Sequence, residues 1–259
     1  NQAIICLEKS AEIAADLGKK KLLINALSTL GNISFTSGKY EKAILYYRKS
    51  ILVFQSTGDK LQEGIALIKL GLAYDALKDY SASISCYENS LEIANQMDNK
   101  EEKVMALNAL GRTHHILGNL DQAEKNYQMS LDISKLTCNV QKKIIALSGL
   151  SSIASELKDY EKALRLCQQW LMYEENLNNH QGQGLALCNL GENLVELHRY
   201  QEAEKPFLQS LDIFKQLSMP LAQSEVTLHL SNLYKKLGNL ELAEEYFRRT
   251  LENTKPDER

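Results

Sequence analysis

Two adjacent histidines, His114 and His115, stand beside Arg112 in the stretch ALNALGRTHHILGNLDQAEKNYQMSLDI, residues 106–133. Imidazoles next to a guanidinium are raw material for acid–base chemistry, anion binding or metal ligation. Each of those uses demands further groups at defined spacing. A metal site wants a pattern such as H-E-x-x-H or clustered Cys and His, and neither occurs. Ser148, Ser151, Ser152 and Ser155 crowd one segment, but no G-x-S-x-G turn raises any of them as a nucleophile. Gly182 and Gly184 in HQGQGLAL stand without the G-x-x-x-x-G-K-[ST] of a phosphate loop and read as close helix packing. The expectation is a chain with no catalytic residues, no metal ligands and no cofactor.

The elements that carry the histidines recur. Shifting Leu110 by multiples of forty gives Leu30, Leu70, Leu150, Leu190 and Leu230. Gly111 becomes Gly31, Gly71 and Gly191, with Ser151 and Ser231 in the remaining copies. Ala123 becomes Ala43, Ala163, Ala203 and Ala243, with Ser83 the exception, and Tyr127 becomes Tyr47, Tyr87, Cys167, Phe207 and Phe247. The period divides the chain into repeats 21–60, 61–100, 101–140, 141–180, 181–220 and 221–259, preceded by residues 1–20, which match only the second half of a unit. A period of this size means a repeat array in which each unit contacts its neighbours, here a single elongated body.

Composition narrows the function. Hydrophobic residues make up 44% and charged residues 24%, as in ordinary globular chains rather than disordered ones. A net charge of -3 supplies no attraction for nucleic acid or an anionic membrane. The five cysteines, Cys6, Cys86, Cys138, Cys167 and Cys188, show no paired spacing, which points to reduced thiols and a cytoplasmic setting. No apolar run approaches the roughly 20 residues of a membrane span. Asn1 falls partway through a unit, so the chain reads as a piece of a longer polypeptide.

Within a unit, Glu101 to Leu117 places Val104, Leu107, Leu110 and His114 on one helical face, and Leu120 to Leu136 does the same with Ala123, Tyr127, Ser130, Leu131 and Ser134. The turn Gly118-Asn119 separates them. Asp79, Asn119, Asp159 and Asn239 open second helices and are placed to cap them. Gly at the Gly111 slot and Ala at the Ala123 slot let two helices approach, while Leu and Tyr fill the volume beside them. Pro220 suits a first helical turn, whereas Pro206 falls inside a helix and should bend it. Trp170, in a slot otherwise held by serine or threonine, reads as a local repacking beside Cys167.

Leu110, Gly111, His114 (Tyr74 and Tyr234 elsewhere), Ala123 and Tyr127 together resemble the tetratricopeptide repeat. The resemblance covers nearly the whole chain, departing from the common 34-residue unit in its length of 40 and showing the family's terminal proline only as Pro256. Longer units of this kind are similar to those of spindle-orientation adaptors, kinesin light chains and bacterial response-regulator phosphatases and sensor proteins. The resemblance implies an all-α solenoid of stacked antiparallel helix hairpins, a right-handed superhelix with a concave binding groove.

In that groove His114 faces the helix–helix packing and His115 the concave surface. The candidate groove residues are Asn32, Phe35, Ile68, Leu72, Asp75, Asn108, Arg112, His115, Ser148, Ser152, Cys188, Glu192 and Asn232. Its middle is apolar near Leu72, its strong cation is Arg112, and its acids are Glu192 and Glu225. Some family members clamp a C-terminal carboxylate, but Ser28 and Ile68 stand where that clamp wants basic partners, which disfavours a chaperone tail. The expected function is a scaffold or adaptor binding a protein or peptide partner. The alternative is the regulatory region of a larger signalling protein with its output domain elsewhere. No nucleic-acid or membrane partner is expected. The two array ends, with Ala3 and Leu7 deprived of a hairpin mate, are expected to self-associate because arrays need polar end caps.

Overall fold

A helix ends wherever its last carbonyls find a residue able to turn left-handed, and in this chain such a residue arrives about every twenty positions. Gly18, Gly38, Gly58, Gly118 and Gly238 have φ between 64° and 80°, and Lys78, Asp98, Lys158, Asn178, His198 and Ser218 take the same left-handed conformation. The periodic turn cuts the chain into helices of 14 to 18 residues. A computed structural model describes residues 2–137 and 139–253. Cys138, Pro256 and the rest of the C-terminal tail lie outside the described residues.

Among the described residues there are thirteen helices and no strand. The first is α1 (Gln2–Asp16); hairpins follow as α2 (Lys20–Thr36) with α3 (Tyr40–Thr57), α4 (Lys60–Ala76) with α5 (Tyr80–Gln96), and α6 (Lys100–Ile116) with α7 (Leu120–Ser134). Then come α8 (Val140–Glu156) with α9 (Tyr160–Asn176), α10 (His180–Glu196) with α11 (Tyr200–Gln216), and α12 (Pro220–Lys236) with α13 (Leu240–Asn253). The chain divides into two compact units, residues 1–143 and 144–259. Within each, consecutive helices pack on one another, and first helices of neighbouring hairpins also touch, α4 on α6 and α10 on α12. This is the α-solenoid arrangement.

Capping follows the sequence at three of its four expected positions. Asp79, Asp159 and Asn239 accept hydrogen bonds from the backbone N–H groups of Ala82, Lys162 and Leu242. Asn119 makes no such bond. First helices carry a second set of caps that the sequence reading passed over, at Asp59, Asn99, Asn139 and Asn179. Pro220 stands at the first turn of α12, and Pro206 lies buried inside the helix α11.

The glycine slot has a sharper reason than close approach of two backbones. A Cβ on Gly31, Gly71, Gly111 or Gly191 would lie 2.4 to 2.8 Å from the ring of Tyr47, Tyr87, Tyr127 or Phe207, sixteen residues ahead on the partner helix. The aromatic ring occupies the space a side chain would need. Where serine replaces glycine the ring is lost in one copy and turned outward in the other. Ser151 touches the Cys167 sulfur at 2.9 Å. Ser231 instead donates to the Ala243 carbonyl at 2.8 Å, and Phe247 lies 45% exposed with the Lys235 ammonium over its ring.

The serine slot is also explained by a bond. Ser90 and Ser210 are buried and donate to the carbonyls of Gly64 and Gly184, 3.0 and 2.8 Å away on the preceding helix. Trp170 breaks this pattern for a polar reason. Its indole N–H donates to Glu174 at 3.0 Å, and the other Glu174 oxygen accepts from Asn179 at 2.8 Å. That carboxylate, only 4% exposed, fills the place where a Gly182 side chain would stand.

Candidate functional site

In the first unit side chains of α5 and α6 converge on a carboxylate of α4. Asp75, near the end of α4, has a side chain 9% exposed and lies 2.9 Å from the Arg112 guanidinium on α6. The Tyr87 hydroxyl donates to it at 2.8 Å, and the Thr113 hydroxyl lies 3.2 Å from both its oxygens. A buried carboxylate needs partners of this kind. Burial, followed by the Asp75 charge, pushes the Tyr87 phenol far above its ordinary range. Arg112 is thus not a free cation awaiting a partner, as the sequence suggested, because its charge is already matched within the fold.

Other expected groove residues divide by depth. Asn32 is exposed and accepts from the Tyr47 hydroxyl at 3.1 Å. Phe35 is half-buried and meets Tyr40 edge to face, with ring centroids 5.5 Å apart. Leu72 and His115 are half-buried, as is His114. Ile68 and Asn108 are corrections: they are 4% and 6% exposed. Ile68 packs with Tyr87, Ala106 and Leu110, and Asn108 donates to the Lys142 carbonyl at 2.9 Å. Their slot faces the next helix rather than open space.

The second unit holds a concave cleft of about 630 Å³ between the first helices α8, α10 and α12. Ser155, Glu192 and Asn232 line its walls, Tyr160 of α9 contributes aromatic surface, and the Phe207 ring of α11 lies buried at its floor, 1% exposed. The Ser155 hydroxyl donates to the Asn193 side-chain oxygen at 2.7 Å, joining α8 to α10. Glu156, Glu192 and Glu196 line it together with Lys235 and Lys236, whose ammonium groups rest over the Phe247 and Tyr200 rings, 5.7 and 5.5 Å from the centroids. His229 crosses the space. Its Nε2 lies 2.7 Å from a Glu192 oxygen, and its ring stacks on Phe207 at 5.5 Å with planes 4° apart.

Beneath His229 lies Cys188, 6% exposed, whose thiol is pushed up by burial and further by Glu192 and Glu225. It is the third correction, a buried residue rather than a groove contact. Ser148 and Ser152 turn back to the carbonyls of Ile145 and Ser148 on their own helix, at 3.0 and 3.2 Å. Of the positions that the helical period turns inward, Ser155, Glu192, Val195, Asn232 and Lys235 line this cleft.

Sequence reasoning missed His229, Phe207 and Tyr160. The signal was available in the helical period. Asn232, expected in the groove, does line the cleft, and His229 joins it from the position just after Leu228, the slot equivalent to Cys188. One position on a helix is a rotation of about 100°, enough to exchange the wall of a cleft for its flank.

Short helical hairpins stacked side by side, with a cleft across successive first helices, define a helical-repeat protein. The Tetratricopeptide repeat family matches residues 22–96, 62–136, 142–216 and 225–254, and the chain belongs to that family. No curated protein matches it. Among solved structures, it is similar to the signal transduction ATPase with numerous domains and a tetratricopeptide repeat sensor from Pyrococcus horikoshii. That match has a TM-score of 0.80 at 16% identity, covering 96% of this chain and 39% of that one. BtubC from P. vanneervenii matches with a TM-score of 0.73 at 18% identity, over 90% of this chain and 95% of the other. A Rap protein complexed with competence and sporulation factor matches with a TM-score of 0.66 at 13% identity, over 90% and 75% of the two chains. No helix among the described residues is long and apolar enough to cross a membrane.

Proposed function

We propose that this chain is a protein-interaction scaffold that holds a peptide or helix of a partner protein in the cleft of its second unit. The observation that carries the reading is the cleft itself, walled by three first helices and floored by an aromatic ring. Its opposed charges select a partner segment by orientation: a basic group toward Glu192 and Glu196, an acidic one toward Lys235 and Lys236. Apolar anchoring on Tyr160 and Val195 supplies affinity, as in other helix-lined grooves. A Rap protein of similar fold is complexed with competence and sporulation factor, which supports a binding role for this fold. The role is binding, not catalysis, and neither nucleic acid nor membrane is the partner.

A second reading has its own support. The similar Pyrococcus horikoshii protein carries its repeats as a sensor within a much longer chain, which favours a regulatory region feeding an output domain. Binding at the cleft serves either role. The chain also associates with itself through its apolar ends, where Ile13, Leu17 and Leu22 are 58% to 65% exposed.

Peptides selected from a random display library against the protein test the cleft. Reversal of its basic wall, Lys235→Glu with Lys236→Glu, is expected to weaken their binding at least about tenfold, which corresponds to 1.4 kcal/mol. Selected peptides that bind the reversed protein unchanged would place the interaction on another surface.

A further inference from the structure

Three side chains under the second unit's cleft bring one ligand atom each within 4.8 Å of the others: the Cys188 sulfur, a Glu192 carboxylate oxygen and a His229 ring nitrogen. Cys188 and Glu192 lie four residues apart on α10, one turn along the same face. His229 reaches them from α12, and Phe207 stacked on its imidazole fixes the ring plane. The repeat does not call for this set. The slot of Cys188 is Ser28, Ile68, Asn108, Ser148 and Leu228 in the other units, and that of His229 is Thr29, Lys69, Ala109, Gly149 and Asn189. A thiol, a carboxylate and an imidazole thus meet at one hairpin junction for a reason other than packing.

We propose that Cys188, Glu192 and His229 bind a single zinc ion, with the fourth coordination position open toward the cleft and filled by water. Mixed sulfur, nitrogen and oxygen ligation suits Zn²⁺ among the common divalent ions. Bond lengths of about 2.3 Å to sulfur and about 2.0–2.2 Å to nitrogen and oxygen place the donors somewhat closer together than 4.8 Å. Glu192 and His229 retain solvent access, with side chains 39% and 28% exposed, and small rotamer adjustments of both toward Cys188 would close that difference. On binding, the ion takes the place of the hydrogen bond between Glu192 and His229, and the proton of that bond leaves to solvent or, through solvent, to the other imidazole nitrogen. The Cys188 thiol proton passes to solvent, as ligation requires a thiolate. Zinc then ties α10 to α12 beneath the surface where a partner docks.

The test is titration of the metal-free 259-residue protein with Zn²⁺ against a chromophoric chelator, beside Cys188→Ser, Glu192→Gln and His229→Gln. One ion per chain is expected, with affinity falling more than about tenfold in each variant. Far-UV circular dichroism reports whether the variants fold. The unsubstituted protein loaded with Co²⁺ provides a readout that needs no variant to fold, because a thiolate ligand gives a charge-transfer band that nitrogen and oxygen ligands do not. Absence of zinc binding, binding unaltered in folded Cys188→Ser and His229→Gln, or a Co²⁺ spectrum without the thiolate band would each overturn the assignment.

Discussion

The Arg112 guanidinium lies 2.9 Å from the Asp75 carboxylate, joining α6 to α4 of the preceding hairpin. The two partners are unequal. Asp75 is nearly enclosed, while Arg112 is half exposed, so the bond matters more to the carboxylate than to the cation. Arg112→Ala is expected to cost about 1 kcal/mol, because Tyr87 and Thr113 still donate to Asp75. Asp75→Ala leaves the Tyr87 hydroxyl without its acceptor in a buried place, a loss of about 1–3 kcal/mol. Urea unfolding of both single variants and the double variant measures the coupling. Equal costs for the two single changes would contradict the unequal burial.

The pairing of small and aromatic slots predicts non-additive variants. A Cβ on Gly111 would stand 2.8 Å from the Tyr127 ring, and Gly111→Ser should cost about 1–3 kcal/mol by overpacking. Tyr127→Cys should cost more, through the cavity it leaves. Together they copy Ser151 and Cys167, and the double variant is expected to lose less than the sum of the two. Strict additivity in chemical denaturation would show that the ring and the glycine are independent.

Trp170 is the protein's single tryptophan, and so its fluorescence reports on the buried Glu174 it binds. In Gly182→Ala the new methyl group meets the Glu174 carboxylate, whose atoms now stand as close as 2.2 Å to that position. The carboxylate must leave its indole and Asn179 donors. Red-shifted emission and a stability loss of about 1–3 kcal/mol are expected. Unshifted emission in the folded variant would mean that the carboxylate stays in place and the strain is taken up elsewhere.

Burial raises the phenols of Tyr47 and Tyr127 from 10.0 to about 12. An acid whose folded pKa is raised keeps its proton in the folded state while the unfolded chain releases it. Stability from these two groups is present below pH 10 and declines from there toward pH 12. Phenolate absorbance should therefore appear late in titration of the native protein and shift to lower pH in denaturant. Coincident native and denatured curves would contradict the burial of these rings.

Exposed apolar side chains at the first helix should make the chain self-associate. Ala3 is exposed although its equivalents Ala43 and Ala123 are fully buried, and Ile13 is 59% exposed. Sedimentation velocity is expected to show a concentration-dependent increase in mass that Ile13→Lys with Leu17→Lys reduces. A strict monomer at high concentration would remove this role from α1.

The helical hairpins were legible in the sequence because their determinants are local or repeated. Leu110 and its five equivalents mark one helical face, and capping residues such as Asp79 act within a few positions of themselves. Six copies of the same pattern make each single departure visible, which is how Ser151 with Cys167 and Trp170 stood out. The glycine slot was recognised as a place of close approach, while its occupant, the ring sixteen residues ahead, came from the packing.

Tertiary structure decided which side chains remain available. Arg112 and Asp75 are 37 residues apart, and nothing local requires their union; a cation that reads as free in the sequence is matched once α4 and α6 lie side by side. Ile68, Asn108 and Cys188 sit on a face that looks open on an isolated helix and closes against its neighbour. His229 joins the cleft through a rotation of one residue about α12, and its meeting with Glu192 and Phe207 depends on three helices at once. The period of a sequence specifies each helix and its partner, but exposure is a property of the assembled surface, since a side chain is buried by residues it does not follow in the chain.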